Sequence, residues 1–211
     1  MTSVTRPEIE PDAVSELCEA FRAEAERERE KTPDVGIVMG SDSDLPTMRG
    51  AYEALTELGF EEVTDYDDPP EARFTFESYV VSAHRTPDLM YAYGETAVAR
   101  DVDVILAGAG GKSADLPNMT ASIAYPVPTI GVPVQEKSVD SVIGMPKGAP
   151  IVAVDAGKSY NAGLSAAQVI ARGHADLRDR LVALHEAQRE GVATVSRRLH
   201  ERGTPGFEES G

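Results

Sequence analysis

The chain has 211 residues, a hydrophobic fraction of 41% and a formal charge of −16 from 36 acids against 20 bases. That length suffices for one domain with a full core. The charge excludes nucleic acid and anionic membrane as partners unless a local basic cleft overrides the repulsion. No apolar run approaches the roughly 20 residues needed to cross a bilayer, and acids stud Met1 to Glu30 where an export signal would be basic and then apolar. A cytoplasmic location is expected.

The acids are dispersed (Glu8, Glu10, Asp12, Glu16, Glu19, Glu24, Glu26; Asp65, Asp67, Asp68; Glu208, Glu209), and lysines are few: Lys31, Lys112, Lys137, Lys147 and Lys158. This balance resembles that of proteins from salt-loving organisms, in which high ionic strength screens self-repulsion. The single cysteine, Cys18, excludes an internal disulfide and a multi-thiolate metal site.

In chain order, Ala13 to Arg29 carries apolar side chains at Val14, Leu17, Cys18 and Phe21, the i, i+3, i+4, i+7 spacing of one helix face. Cys18 on that stripe reads as packing. From Val35 the pattern changes to short β-branched runs alternating with helical stretches. Strands are predicted at Val35 to Met39, Tyr79 to Val81, Val102 to Leu106, Thr129 to Val132 and Ile151 to Val154. The helices between them are Leu45 to Leu58, Pro87 to Arg100, Leu116 to Ile123 and Ser159 to Arg172, with a long one from His174 to Glu201.

Continuous apolar strands separated by amphipathic helices indicate a parallel sheet covered on both faces. The expectation is an α/β three-layer sandwich with five parallel strands. Its divisions are an N-terminal helical extension over 1–32, a catalytic domain over 33–202 and a mobile tail over 203–211. Asp65 to Glu77, with Asp67-Asp68-Pro69-Pro70-Glu71, reads as an acidic insertion: a surface loop, or a hairpin with Phe74 and Phe76 packed beneath it.

Open parallel sheets bind ligands at the carboxyl ends of their strands, beside the point where strand order reverses. In the order 2-1-3-4-5 the loops after the first three strands fall side by side. They are Gly40-Ser41-Asp42-Ser43-Asp44, Ser82-Ala83-His84-Arg85 and Ala107-Gly108-Ala109-Gly110-Gly111-Lys112-Ser113. Backbone amides, hydroxyls, His84, Arg85 and Lys112 would converge on one cleft.

Each loop admits two readings. The first is either a tight turn with a capping acid, or a site where Ser41 and helix-start amides hold a phosphate while Asp44 accepts from sugar hydroxyls. His84 either caps the helix that Pro87 starts, or serves as the one side chain type that titrates near neutrality unaided and so can give a proton and take it back. The third loop fails the G-x-x-x-x-G-K-[ST] spacing, because Leu106 stands where the first glycine would fall. Its small residues instead let a flat ring lie against the backbone. Gly131-Val132-Pro133-Val134-Gln135 with Gly144-Met145-Pro146-Lys147-Gly148 reads as turn punctuation or as a fourth binding surface. His174, His185 and His200 lack metal-ligand spacing and read as solvated.

Together these segments, with Met145-Pro146-Lys147-Gly148-Ala149-Pro150 and Asn161-Ala162-Gly163-Leu164, resemble the successive motifs of the phosphoribosylaminoimidazole carboxylase catalytic subunit family, in order from about Val35 to Arg172. The resemblance implies a flavodoxin-like sheet, a homo-octamer, and neither cofactor nor metal. It implies a small-molecule ribonucleotide as substrate, in de novo purine biosynthesis, and an ATP-dependent carboxylase as the functional partner that supplies it. By motif position His84 would be the proton-transfer group. Ser41, Asp44, Ser82, Arg85, Gly110, Gly111, Lys112 and Ser113 would bind the substrate.

Two branches of that family are in play. One moves a carboxylate from the exocyclic nitrogen of N5-carboxyaminoimidazole ribonucleotide to ring carbon 4, and the other carboxylates aminoimidazole ribonucleotide directly with carbon dioxide. Arg85-Thr86-Pro87 follows the mutase branch, and an arginine beside His84 suits bidentate clamping of phosphate or carboxylate. The mutase pattern also has a second histidine after the glycines. Here Asp115 occupies that place, after a segment longer by one residue, and Lys112-Ser113 leans toward the carboxylase branch. From a different class, the architecture would suit a flavin-binding electron carrier, which would have no use for His84-Arg85.

Overall fold

The run Val35–Met39 has no polar side chain, and all five residues are buried, as a strand covered on both faces requires. In the computed structural model, which describes residues 12–208, this strand (β1) is the centre of the sheet. On one side it pairs in parallel with Phe74–Val80 (β3), from Val35 opposite Phe76 to Met39 opposite Val80. On the other it pairs with Val104–Ala109 (β4), from Val35 opposite Val104 to Met39 opposite Gly108. With Phe60–Glu62 (β2), Thr129–Pro133 (β5) and Val152–Ala153 (β6), the order is β2-β3-β1-β4-β5-β6, parallel throughout.

Alternation along β1 divides the core into two layers. Val35, Ile37 and Met39 face one layer with Met48, Ala51 and Leu55 of the helix Leu45–Glu57 (α2), and with Ala162, Ala166 and Ile170 of Ser159–Ile170 (α6). Val38 faces the other, with Leu89, Met90 and Tyr93 of Pro87–Ala99 (α3). Two glycines let α2 and α6 approach closely. A Cβ on Gly163 would stand 2.9 Å from the Ala51 carbonyl oxygen, and one on Gly50 would stand 2.8 Å from the Tyr160 backbone nitrogen. The shorter helices Leu116–Ile123 (α4) and Val139–Ile143 (α5) follow β4 and β5.

The N-terminal helix Ala13–Glu24 (α1) starts where Asp12 accepts from the Ser15 amide at 2.9 Å. Its apolar stripe covers α3. Phe21 meets Tyr79 and Tyr93 edge-on at 4.7 and 5.4 Å between centroids, and Cys18 is buried beside it. Beneath this helix lies a buried charge pair. Glu77 on β3 accepts from both terminal nitrogens of Arg100 at 2.7 Å and from the Tyr93 hydroxyl at 2.8 Å, and Tyr66 of the β2–β3 connection reaches the same carboxylate. Burial, and next the Glu77 charge, push the Tyr93 hydroxyl well above the usual phenol range.

Several expected boundaries are corrected. The sheet has six strands, because the short edge strand β2 was not anticipated. Residues 74–77 are part of β3, so the insertion is neither a loop nor a hairpin to its end. Phe74 and Phe76 alternate with Thr75 and Glu77 in a strand buried on both faces over its first four residues, and a charged Glu77 disguised that run as a solvated segment. The N-terminal helix stops at Glu24, five residues short of the expected Arg29. The last helix, Ala175–Glu208 (α7), continues past Glu201 and carries a non-helical Gly203. His174 is half-buried: it faces Phe74 edge-on at 5.1 Å, and its ring nitrogen lies 3.2 Å from an Arg73 nitrogen on the solvent side. Residues 1–11 of the expected extension and 209–211 of the expected tail lie outside the described residues.

Candidate active site

Because β1 lies between β3 and β4, the three loops singled out in the sequence emerge side by side. After β1, Ser41 caps a single 3-10 turn, accepting from the Ser43 amide at 3.3 Å and donating to Asp42 at 2.9 Å. After β3, the Thr86 amide closes a turn onto the Ser82 carbonyl at 3.0 Å, and Pro87 opens α3 at a position where no amide is needed. After β4, Gly111 adopts φ +87, a left-handed conformation that favours glycine.

Arg85 ties two of these tips together. Its Nη2 donates to the Gly40 carbonyl at 2.9 Å, while its Nε donates to Ser82 Oγ at 3.3 Å. The guanidinium thus bridges from the β3 loop to the β1 loop. Ser82 Oγ also accepts from the Arg85 amide at 3.2 Å.

Asp44 sits under the floor with only 6% of its surface exposed. It occupies the N-cap position of α2 without capping it, and Gly40 and Gly110 make room for the carboxylate: a Cβ on Gly110 would fall 3.1 Å from Asp44 Oδ1. Burial raises the Asp44 carboxyl above the usual range, opposed by the Ser41 and Gly40 amides and by Arg85.

The loops enclose a cavity of about 490 Å3 with a mostly polar lining, which includes Ser41, Asp44, His84, Arg85, Gly110 and Ser113. That size fits a small-molecule ligand. A larger hollow, about 760 Å3, opens near the sheet edge between α2 and β2–β3, and its wall is apolar, with Met39, Leu45, Tyr52, Phe60 and Phe76. It has no histidine and no glycine loop, so the groups suited to acid–base chemistry gather in the smaller cavity.

Inside that cavity His84 has a partner. Its Nε2 lies 2.9 Å from Asp115 Oδ2, and the other oxygen of Asp115 accepts from Ser141 Oγ at 3.1 Å. Both members of the pair are reachable by solvent, with side chains 58% and 41% exposed. An imidazole, a guanidinium and two carboxylates around a glycine wall can bind a polar anion and move a proton at one atom.

Of the sequence-derived candidates, Ser41, Asp44, Ser82, His84, Arg85, Gly110, Gly111 and Ser113 line this cavity. Lys112 does not; it is exposed beyond the rim. The fourth surface splits. Gln135 reaches the cavity together with Lys137, whereas Met145 and Pro146 line a separate shallow hollow with Met119 and Ile123. Lys137 and the Asp115–Ser141 contact were missed. The strand-end rule, extended to β5, would have found Lys137; nothing in the sequence joins Ser141 to Asp115, 26 residues apart. Among the described residues no group of three His, Cys, Asp or Glu could hold a metal ion.

Residues 34–191 match the model of the family described as AIR carboxylase. The N5-carboxyaminoimidazole ribonucleotide mutase of Mycobacterium tuberculosis is 42% identical over 173 residues, spanning 79% of this chain and 90% of that protein. Those of Bacillus subtilis and Thermotoga maritima are 42% and 38% identical, spanning 79% and 81% of this chain and 98% and 94% of those proteins. The crystal structure of Treponema denticola PurE is similar in fold, with a TM-score of 0.65 at 21% identity over 80% of this chain and 99% of that one.

Proposed function

The chain belongs to the AIR carboxylase family, and from that premise we propose that it is an isomerase of purine biosynthesis. It converts N5-carboxyaminoimidazole ribonucleotide to 4-carboxy-5-aminoimidazole ribonucleotide. The observation that carries this reading is the single imidazole, His84, held in a glycine-walled cavity beside a guanidinium that bridges two strand tips.

The reaction needs one proton moved twice. His84 as imidazolium protonates the exocyclic nitrogen, the nitrogen–carboxylate bond breaks, and carbon dioxide leaves with aminoimidazole ribonucleotide still bound. Ring carbon 4 then attacks carbon dioxide, and neutral His84 removes the proton from that carbon, which restores the imidazolium. With the substrate seated over the open cavity, the bound ring and the glycine wall together hold carbon dioxide beside carbon 4. Ser41, Ser82, Ser113 and Arg85 hold the phosphate and the carboxylate, Asp44 accepts from ribose hydroxyls, and the Gly110-Gly111 backbone packs against the flat ring.

The enzyme acts as a homo-octamer in the cytoplasm of a salt-adapted cell, beside an ATP-dependent carboxylase that makes its substrate. Support for assembly comes from α7, which buries Leu177 against the body yet exposes Val182, Val192, Val195 and Leu199 farther on. Such a stripe needs a partner surface. The dispersed acids behind a charge of −16 support the salt adaptation. No helix among the described residues is long and apolar enough to cross a membrane.

The test offers purified protein in high salt either N5-carboxyaminoimidazole ribonucleotide or aminoimidazole ribonucleotide with bicarbonate, and follows carboxylated product in the ultraviolet. Fast turnover of the first alone is expected, and His84→Asn abolishes it while the protein stays folded. Preference for the second substrate would make the chain a direct carboxylase. Full activity in His84→Asn would remove His84 from the mechanism.

A further inference from the structure

Asp115 stands at the N-cap of α4, where an aspartate ordinarily accepts from an amide of its own helix. It does not do so here. One carboxylate oxygen instead takes the Ser141 hydroxyl at 3.1 Å, and the other meets His84 Nε2 at 2.9 Å. Ser141 is itself fastened, because its carbonyl accepts from the Asn118 amide nitrogen at 2.6 Å. An aspartate turned away from its cap and held at both oxygens by other elements is oriented for a purpose other than starting the helix.

We propose that Asp115 is the positioning residue of the proton shuttle, holding His84 in the Nε2–H tautomer so that Nδ1 is the nitrogen that gives and takes the substrate's proton. The inference rests on the proposed reaction and names the atom through which it runs. An ionised carboxylate only accepts, so the ring nitrogen facing it must be the one that carries hydrogen. While that contact persists, Nε2 stays protonated in both charge states of the ring, and only Nδ1 changes. The proton leaving Nδ1 for the exocyclic nitrogen is therefore replaced at the same atom by the proton from carbon 4. Ser141 supplies the stop that keeps the carboxylate from swinging back to its own helix.

Two measurements test this. Nitrogen-15 NMR of the substrate-free protein, at a pH where the ring is neutral and with His84 assigned by difference from His84→Asn, is expected to show Nε2 protonated and Nδ1 bare. Asp115→Asn can donate or accept, so it should mix the two tautomers. It should lower kcat about tenfold or more, a part of the 10²–10⁴ that a placed acid–base group contributes, with KM within about threefold. Asp115→Glu should restore part of both readouts, which a merely structural role would not produce. A bare Nε2 in the wild type overturns the proposal, as does an Asp115→Asn variant with unchanged tautomer and kcat. The tautomer is read without substrate, so the two readings fail separately. A wild-type protein that turned over neither ribonucleotide would remove the reaction and with it Asp115's role in the shuttle, whereas an active enzyme with a bare Nε2 would remove the positioning role alone.

Discussion

The Glu77–Arg100 pair invites a perturbation whose size can be worked out. Arg100 is 1% exposed and Glu77 is fully buried, so Glu77→Gln keeps the shape of the site but leaves a guanidinium without a counter-charge in a region no water reaches. Breaking a buried pair in this way costs about 3–5 kcal/mol, against a total stability of about 5–15 kcal/mol for a typical protein. For a chain of this length each kcal/mol shifts Tm by about 2–4 °C, so a fall of about 6–20 °C is expected in a thermal melt at fixed salt. The double variant Glu77→Leu with Arg100→Met should recover part of that loss, because neither charge then remains to be desolvated, although the buried Tyr93 hydroxyl loses its acceptor at a cost of about 1–3 kcal/mol. The pair lies below the His84 loop, joining β3 to α3 on either side of it, while the loop is held separately by Arg85 on Gly40 and Ser82. Turnover at a temperature where Glu77→Gln is folded should therefore stay near the wild-type rate. A melt shifted by less than about 2 °C, or a double variant less stable than either single one, would refute the reasoning.

Two other perturbations separate binding from stability. Asp44→Asn should raise KM yet hold or raise Tm at neutral pH. Burial lifts this carboxyl's folded-state pKa above its unfolded value, so the associated stability is fully present below the unfolded pKa and declines as pH rises through the folded one. The wild-type protein should lose stability over that acidic interval relative to Asp44→Asn; parallel Tm-against-pH curves would contradict this. Arg85→Lys cannot serve Gly40 and Ser82 together, because an ammonium lacks the planar fork. Misplacing the charge so that one charge-assisted bond to the bound anion, worth about 1.5–3 kcal/mol, is lost should raise KM about 10- to 150-fold with a smaller change in kcat, measured by steady-state kinetics. An unchanged KM would remove Arg85 from substrate binding.

What the sequence determined alone was the layering and the loops. Apolar runs such as Val35–Met39 can be satisfied only inside a covered parallel sheet, and the turn chemistry of Gly40-Ser41 and Thr86-Pro87 marks where strands give way to helices, because capping and backbone preference act within a few residues. The candidates Ser41, Asp44, His84 and Arg85 were legible for the same reason: each lies within five residues of a strand end. Tertiary structure decided the rest. A charged Glu77 inside β3 makes sense only once Arg100 and Tyr93 stand over it, so the strand's first half looked like a surface segment. Lys112, conspicuous beside the glycines, turned outward, and Lys137 lines the cavity from the end of β5. Asp115 stood in the sequence only at the place of the second histidine of the resembled family, and its contacts with His84 and, through α5, with Ser141 came from the packing. A carboxylate's choice among acceptable donors depends on which of them arrives within about 3 Å, and that distance is set by the packing of distant elements.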